Sequence, residues 1–119
     1  MKSKSPSPAS VVAFKSHVMH WAGRIRVRPR QLRLQRMRRK WASISGVGRL
    51  TLDADLVGLP KELGEFVIVH ELVHILAPNH GKVFKSFMFA YLPDWEVREQ
   101  RLRNFARLGV RAFLGNNSD

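Results

Sequence analysis

The sequence predicts an α+β fold for a single domain in which helices pack on a small β-sheet. Three observations indicate this class. Apolar residues recur at three- and four-residue steps in segment 11–25, short stretches between residues 25 and 53 alternate apolar and polar side chains, and segment 61–76 is apolar on nearly all sides. A helix that is apolar all round must be covered on all sides, so we expect segment 61–76 at the centre of the domain.

The length of 119 residues allows one domain with a real core and leaves little room for a second. We expect a disordered basic tail over residues 1–9, a folded domain over residues 10–114 and a flexible tail over residues 115–119. No apolar run approaches the roughly eighteen residues of a membrane span. The chain has no cysteine and no visible signal peptide. We therefore expect a cytoplasmic protein in which histidines or carboxylates would hold any metal.

The first predicted helix backs the core. Ser10 is placed to cap it, and its apolar positions share one face: Val11, Phe14, Val18, Trp21, Ala22 and Ile25. His17 and His20 lie three residues apart on the same helix, a spacing that could suit a metal. Surface polarity is the favoured interpretation of this pair, because so short a pattern arises often by chance.

The segment after this helix predicts strands. Ile25–Arg28 and Leu32–Leu34 alternate apolar and basic side chains, as half-buried strands do. The stretch Gln35–Trp41 fits either a strand or a helical turn, and the sequence does not decide between them.

A β-hairpin is predicted next, from Trp41–Ser45 through the turn Gly46–Gly48 to Arg49–Asp53. An extended peptide could pair with an edge strand in Trp41–Ser45 through main-chain hydrogen bonds. Trp41 itself is interpreted as a core residue rather than a platform for substrate, since tryptophan is usually buried.

Helices are predicted for the rest of the chain. Pro60 begins the central helix, which runs to Leu76 or Ala77 before Pro78 blocks its continuation. A second packed helix is indicated by apolar residues at helical spacing: Phe84, Phe87, Met88 and Leu92. Tyr91 is interpreted as a packing residue of that helix rather than an oxyanion donor. Segment 94–114 predicts a terminal amphipathic helix.

The net charge of +12 is unevenly distributed. Residues 1–52 contain thirteen lysines and arginines and no acid, whereas residues 53–119 contain all nine acids and the other eight basic residues. Such a field favours polyanions, so nucleic acid is a candidate partner through the basic N-terminal half. The alternatives are a solvated basic face without a partner and an organelle transit peptide. No recognition-helix, zinc-finger or RNA-recognition signature indicates sequence-specific reading.

The central helix carries a pattern that suits metal chemistry. His70 and His74 are one helical turn apart and project the same way, and Glu71 sits beside the first of them. Two imidazoles at this spacing can hold one ion, with the carboxylate next to an open coordination position. The competing interpretation is a core helix whose polar groups are satisfied by hydrogen bonds. Burying these three groups without a partner would cost several kcal/mol, which favours the metal.

The third candidate ligand is His80, which follows the helix-ending Ala77–Asn79 turn. A reversal there can return its imidazole to His70 and His74. The complete spacing, HExxHxxxxxH, is more specific than the five-residue core and leaves a fourth position for water, as catalytic zinc requires. Asn79 is expected to cap the next helix and so orient His80.

Residues 37–98 resemble the YgjP-like metallopeptidases, which are similar to the WLM and SprT-like proteases. The residues that carry the resemblance are Met37, Lys40-Trp41, Ser43–Ser45, Gly48–Asp53, Pro60, Val67–His74, Asn79–Phe84 and Pro93–Trp95. The resemblance implies a minimal zincin-like domain with a backing helix, an active-site helix and a small sheet whose edge strand lines the cleft. Ala42 and Ile44 stand where family members commonly have Gly and Cys, a change that does not touch the metal.

The expected function is metal-assisted peptide hydrolysis. Zn²⁺ on His70, His74 and His80 would activate water, and Glu71 would take its proton and pass it to the leaving group. A carboxylate or carbonyl should hold the other nitrogen of each imidazole, with Asp53, Asp55 and Glu99 as candidates. Two alternatives remain: a zinc hydrolase of a nucleotide or other small anionic substrate, and a non-catalytic basic nucleic-acid-binding module with a structural zinc.

Overall fold

A computed structural model describes residues 6–107 of the chain. Its elements, in chain order, are helix α1 (Pro8–Ile25), strands β1 (Gln31–Gln35), β2 (Ala42–Ile44) and β3 (Arg49–Asp53), a 3-10 helix (Ala54–Gly58), and helices α2 (Lys61–Leu76), α3 (Lys82–Tyr91) and α4 (Trp95–Arg107). The α+β class is confirmed. The tail at residues 115–119 and the end of the last predicted helix, residues 108–114, lie outside the described residues.

Helix α1 begins earlier than the sequence indicated. The cap at Ser10 is wrong: the side chain of Ser7 accepts a hydrogen bond from the Ser10 backbone N–H at 3.1 Å, and Pro8 occupies the first turn. Pro8 and Ala9, which we assigned to the tail, are therefore helical. The predicted buried face is confirmed, with Val18, Trp21, Ala22 and Ile25 in the core.

The predicted strand at Ile25–Arg28 is wrong, because Ile25 is the last residue of α1. Arg26 then ends the helix in the left-handed conformation, with φ of 66°, and its N–H donates to the carbonyl of Ala22. Ile25 belongs to the buried stripe of α1, and an alternation of four residues is too short to distinguish a strand from the end of an amphipathic helix.

The sheet has the strand order β1-β3-β2. β2 and β3 pair antiparallel, which confirms the hairpin, and β1 pairs with β3 in parallel, with Leu32 opposite Leu50. Gly48 closes the hairpin at φ of 87°, and a Cβ there would lie 3.4 Å from the backbone nitrogen of Arg30. Of the undecided stretch 35–41, only Gln35 is in a strand, and the remainder is an irregular connection.

Helix α2 lies at the centre of the domain, as predicted. Its buried residues surround the helix axis: Leu63, Gly64, Phe66, Val67, Ile68, Val69, His70, Glu71, Leu72 and Val73. It contacts α1, α3, α4, β2 and the 3-10 helix. Trp41 is buried in the core. Phe84 and Met88, on the inner face of α3, pack into the same core. Between residues 6 and 107, no helix has the length and apolar character needed to cross a membrane.

Candidate metal centre and cleft

The structure brings three histidines together at the C-terminal end of α2. His70 and His74 lie one turn apart, with ring centroids separated by 4.8 Å, and His80 returns to them from the segment after the helix. One nitrogen from each ring lies within 4.8 Å of the other two, and the Nε2 atoms of His74 and His80 are 2.9 Å apart. Among residues 6–107, these three histidines form the group whose spacing suits one metal ion.

The turn between α2 and α3 produces this convergence. α2 ends at Leu76, and Ala77 adopts an extended conformation while its N–H still donates to the carbonyl of Val73. The next residue, Pro78, has no N–H and cannot continue a helix. Helix α3 starts at Lys82 with Gly81 as its cap, and no side chain bonds to this helix end. The predicted cap at Asn79 is therefore wrong, since Asn79 lies two residues before the actual cap.

Hydrogen bonds fix the orientation of both imidazoles on α2. The Nδ1–H of His74 donates to the carbonyl of Ala77 at 3.1 Å, and the Nδ1–H of His70 donates to the carboxylate of Glu71 at 3.1 Å. With Nδ1 as the donor on each ring, Nε2 keeps its lone pair free to bind a metal.

The carboxylates proposed for this orienting role are not the partners of the two α2 histidines. Asp53 Oδ1 accepts a hydrogen bond from the Asp55 N–H at 2.8 Å and caps the 3-10 helix, while Glu99 pairs with Arg103 at 3.7 Å. The expectation for Asp53, Asp55 and Glu99 is wrong for the two α2 histidines. Carbonyls in the last turn of a helix have no partner within the helix, which made a carbonyl near Ala77 the better candidate.

Phe84 packs against all three histidine rings, a role that sequence reasoning missed. It stacks on His74 at a centroid distance of 4.6 Å and meets the edges of His70 and His80 at 5.1 and 4.8 Å. Its side chain is buried in the first turn of α3. The available signal was an aromatic residue in the first turn of the helix that follows His80.

Glu71 lies at the base of an open cleft. The residue is only 3% exposed, yet it lines a cleft of about 410 Å³ together with His74. The remaining lining residues are Lys40, Ser43, Ile44, Ser45, Gly46, Ile75 and Pro78. β2 therefore forms a wall of the cleft, and among the described strands only β3 pairs with it. Sequence analysis did not select Lys40 as a residue of the cleft.

Comparison with known proteins identifies the family. A family model described as the YgjP-like metallopeptidase domain matches residues 11–105. The chain belongs to the YgjP-like metallopeptidase family. No curated protein matches it.

Two solved structures resemble this YgjP-like domain. The metallopeptidase zymogen of Pyrococcus abyssi abylysin aligns with a TM-score of 0.73 and 20% identity, over 85% of this chain and 99% of that one. The metallopeptidase zymogen of Methanocaldococcus jannaschii jannalysin aligns with a TM-score of 0.67 and 27% identity, over 80% of this chain and 96% of that one. The first likeness, at its low identity, establishes a shared fold alone.

The donor set of the YgjP-like domain fits the metal ion that its family implies. Imidazole nitrogens suit zinc, and a tetrahedral ion about 2.0–2.1 Å from each nitrogen would space the nitrogens about 3.3 Å apart. The observed separations, from 2.9 Å to at most 4.8 Å, bracket that value. The residues present therefore suit a zinc ion with one side open to the cleft.

The electrostatics of His74 also suit a ligand. Burial lowers the pKa of its imidazole below the ordinary value, and the neighbouring His70 lowers it further. Glu71 and the hydrogen bond to Ala77 oppose this shift without cancelling it. Burial and His70 both favour the neutral imidazole, which is the form that binds metals.

The other histidine pair has no place in this centre. His17 bonds to Glu65 Oε2 at 3.1 Å, and the same oxygen accepts a hydrogen bond from Trp21 at 2.9 Å, whereas His20 is exposed. Arg98 of α4 donates to Glu65 Oε1 at 2.8 Å. Burial alone would raise the pKa of Glu65, but the hydrogen bonds from Arg98, Trp21 and His17 outweigh it and hold this pKa below its usual value. These contacts join α1, α2 and α4 at the far end of α2.

Proposed function

We propose that this chain is a zinc-dependent metallopeptidase in which His70, His74 and His80 hold the ion and Glu71 acts as general base. The observation that carries the proposal is the convergence of three imidazoles next to a buried carboxylate at an open cleft. The chemistry that zinc supplies when bound at such a site is Lewis-acid activation of water and of the scissile carbonyl.

Glu71 moves the proton in this proposal. Its carboxylate lines the cleft and is held by the Nδ1–H of His70. It takes a proton from the attacking water and delivers that proton to the nitrogen of the departing amine, so that the C–N bond can break. Because Glu71 is not one of the three nitrogen donors, its amide variant should keep the ion and lose the reaction.

The substrate that suits the cleft is an extended peptide. β2 has one unpaired side within the described sheet, and Ser43, Ile44 and Ser45 line the cleft beside His74. A peptide that adds as a strand there would make main-chain hydrogen bonds and place a peptide carbonyl near the histidines. Recognition through the main chain predicts broad sequence tolerance. We place this activity in the cytoplasm, on the absence of cysteine from the chain.

The test compares two substrate classes on one preparation. The zinc-loaded protein and its Glu71→Gln variant are incubated with an unfolded protein and, separately, with nucleoside triphosphates. Cleavage of the protein that disappears in Glu71→Gln supports the peptidase. Nucleotide hydrolysis that depends on Glu71, without proteolysis, would assign the centre to a small anionic substrate. If the protein binds zinc but shows neither activity, the ion would have a structural role.

A further inference from the structure

One face of the sheet points away from the helical core, and it carries arginines. On β1 the leucines Leu32 and Leu34 are partly buried, whereas the residues that alternate with them are exposed. On β3 the same alternation buries Leu50 and Leu52 and exposes Arg49. The parallel register pairs Gln31 with Arg49 and Arg33 with Thr51, so Arg33 and Arg49 are diagonal neighbours on the outer face.

Two more exposed arginines lie along the chain just before β1, beside the hairpin turn at Gly48. The backbone N–H of Arg30 donates to the carbonyl of Gly48 at 2.8 Å, which fixes Arg30 beside the start of β3. The carbonyl of Arg28 also lies against Gly48, 3.8 Å from where a Cβ would be. Both side chains are exposed. We call Arg28, Arg30, Arg33 and Arg49 the arginine face.

No acidic group within residues 6–107 neutralises the arginine face. None of its four side chains makes an ion pair or a hydrogen bond with another described residue. The arginines of α4 differ sharply: Arg98 pairs with Glu65 and Asp94, Arg101 with Glu62, and Arg103 with Glu99. Four exposed guanidinium groups without an ion partner among residues 6–107 attract an extended anion.

We propose that the arginine face binds the phosphate backbone of double-stranded nucleic acid. Each guanidinium offers a planar pair of donors that matches a phosphate group, a geometry that lysine lacks. Gln31 and Gln35 are exposed on the same side of β1 and supply further donors of the kind that contact phosphates. A series of regularly spaced phosphates can engage all four arginines at once.

The chemistry of this face argues against other modes of binding. The outward positions of β1 and β3 carry no aromatic ring on which the bases of a single strand could stack. They also carry no large apolar side chain that could enter a lipid surface. Contacts from these arginines to phosphates carry no information on base sequence, so binding should be independent of it.

None of the four residues of the arginine face lines the cleft, although the backbone of Arg49 bonds to Ser45 at the edge of the cleft. Nucleic acid bound there would leave the cleft free. This inference goes beyond the proposed peptidase activity and does not depend on it, since a protein without proteolytic activity would bind in the same way.

Fluorescence anisotropy with a labelled duplex of about twenty base pairs tests the proposal. The variants are Arg33→Gln/Arg49→Gln and a matched control, Arg101→Gln/Arg103→Gln, which removes the same charge from α4. Four phosphate contacts predict a slope of about −3.6 for log K against log salt, and loss of two contacts should bring it near −1.8. Affinity at low salt should fall at least about tenfold in the first variant and stay within about twofold in the control.

Three results would overturn the proposal. Equal losses in both double variants would mean that net charge alone drives association. No measurable binding of the duplex by the wild-type chain would remove the site altogether. Competition by a polyglutamate peptide at least as strong as by unlabelled duplex would assign the face to an acidic protein instead. The thermal unfolding midpoint and the zinc content of both double variants are compared with those of the wild type. Equal values show that a change in duplex affinity does not come from a change in folding.

Discussion

The ring of Phe84 stacks on the imidazole of His74, with 4.6 Å between centroids and 25° between planes. This contact joins the first turn of α3 to the last turns of α2. Because Phe84 also touches His70 and His80, one buried side chain limits the motion of all three rings. The three-histidine cluster is thus held in place by apolar packing as well as by hydrogen bonds.

Substitution of Phe84 should weaken zinc binding more than it weakens the fold. In Phe84→Leu the core keeps most of its volume but loses the flat surface against the imidazoles, so we expect zinc affinity to fall by about tenfold, as for other groups that orient ligands. The measurement is a competition titration with a zinc chelator. Phe87→Leu on the same helix is the control, because its ring stacks on Tyr91 and not on a histidine. Equal affinity in the two variants would contradict this role for Phe84.

Glu71→Gln should separate catalysis from metal binding. The amide keeps the shape of the side chain but cannot accept the proton of water, so peptidase activity should fall by about 10²–10⁴-fold. The zinc content per chain, measured by mass spectrometry of the metal, should remain that of the wild type. Full activity in the variant would exclude Glu71 as the base, and a loss of zinc would indicate that it acts on the ion.

Stability should depend on Glu65 in a pH-dependent way. The pKa of Glu65 in the folded chain lies below its usual value, so its stabilising effect is present above the unfolded pKa of about 4.3 and is lost as the pH falls through the folded pKa. Glu65→Gln should lower the free energy of unfolding by about 1–2 kcal/mol at neutral pH, because the hydrogen bonds to charged partners are lost. This difference should shrink as the pH falls below the unfolded pKa and through the folded one.

Chemical denaturation at several pH values measures the effect of Glu65→Gln. Glu96→Gln is the control, since Glu96 is exposed and carries the same charge change without the contacts to Trp21 and Arg98. A difference between wild type and Glu65→Gln that stays constant from neutral to acidic pH would exclude an electrostatic origin.

The sequence predicted the centre of the fold better than its edges. The run from Lys61 to Leu76 is so uniformly apolar, and so clearly stopped by Pro78, that its position and limits followed from local patterns. The hairpin around Gly48 followed for similar reasons. The parallel pairing of β1 with β3 did not, because contacts between distant segments leave little trace in the alternation of either strand.

Predictions for the site differed in quality for a related reason. The identities of His70, Glu71, His74 and His80 came from chemistry and spacing, which the sequence displays directly. Their supporting contacts depend on where the backbone turns. The carbonyl of Ala77 carries no side-chain signature at all, and Phe84 looked like any other core residue of α3. The expectation that a carboxylate or a carbonyl holds each ring fits both α2 histidines, but the residues named for it, Asp53, Asp55 and Glu99, are not the partners.

The most direct test of the metal centre is the zinc affinity of His80→Ala beside that of His20→Ala. His20 is an exposed histidine of α1, so its loss should leave one zinc bound per chain with unchanged affinity. Mutation of a residue that supports a ligand lowers metal affinity by roughly 10–100-fold, and removal of the ligand itself should lower it further. We therefore expect His80→Ala to bind zinc more than about a hundredfold more weakly than the wild type. Wild-type affinity in His80→Ala would contradict the three-histidine centre.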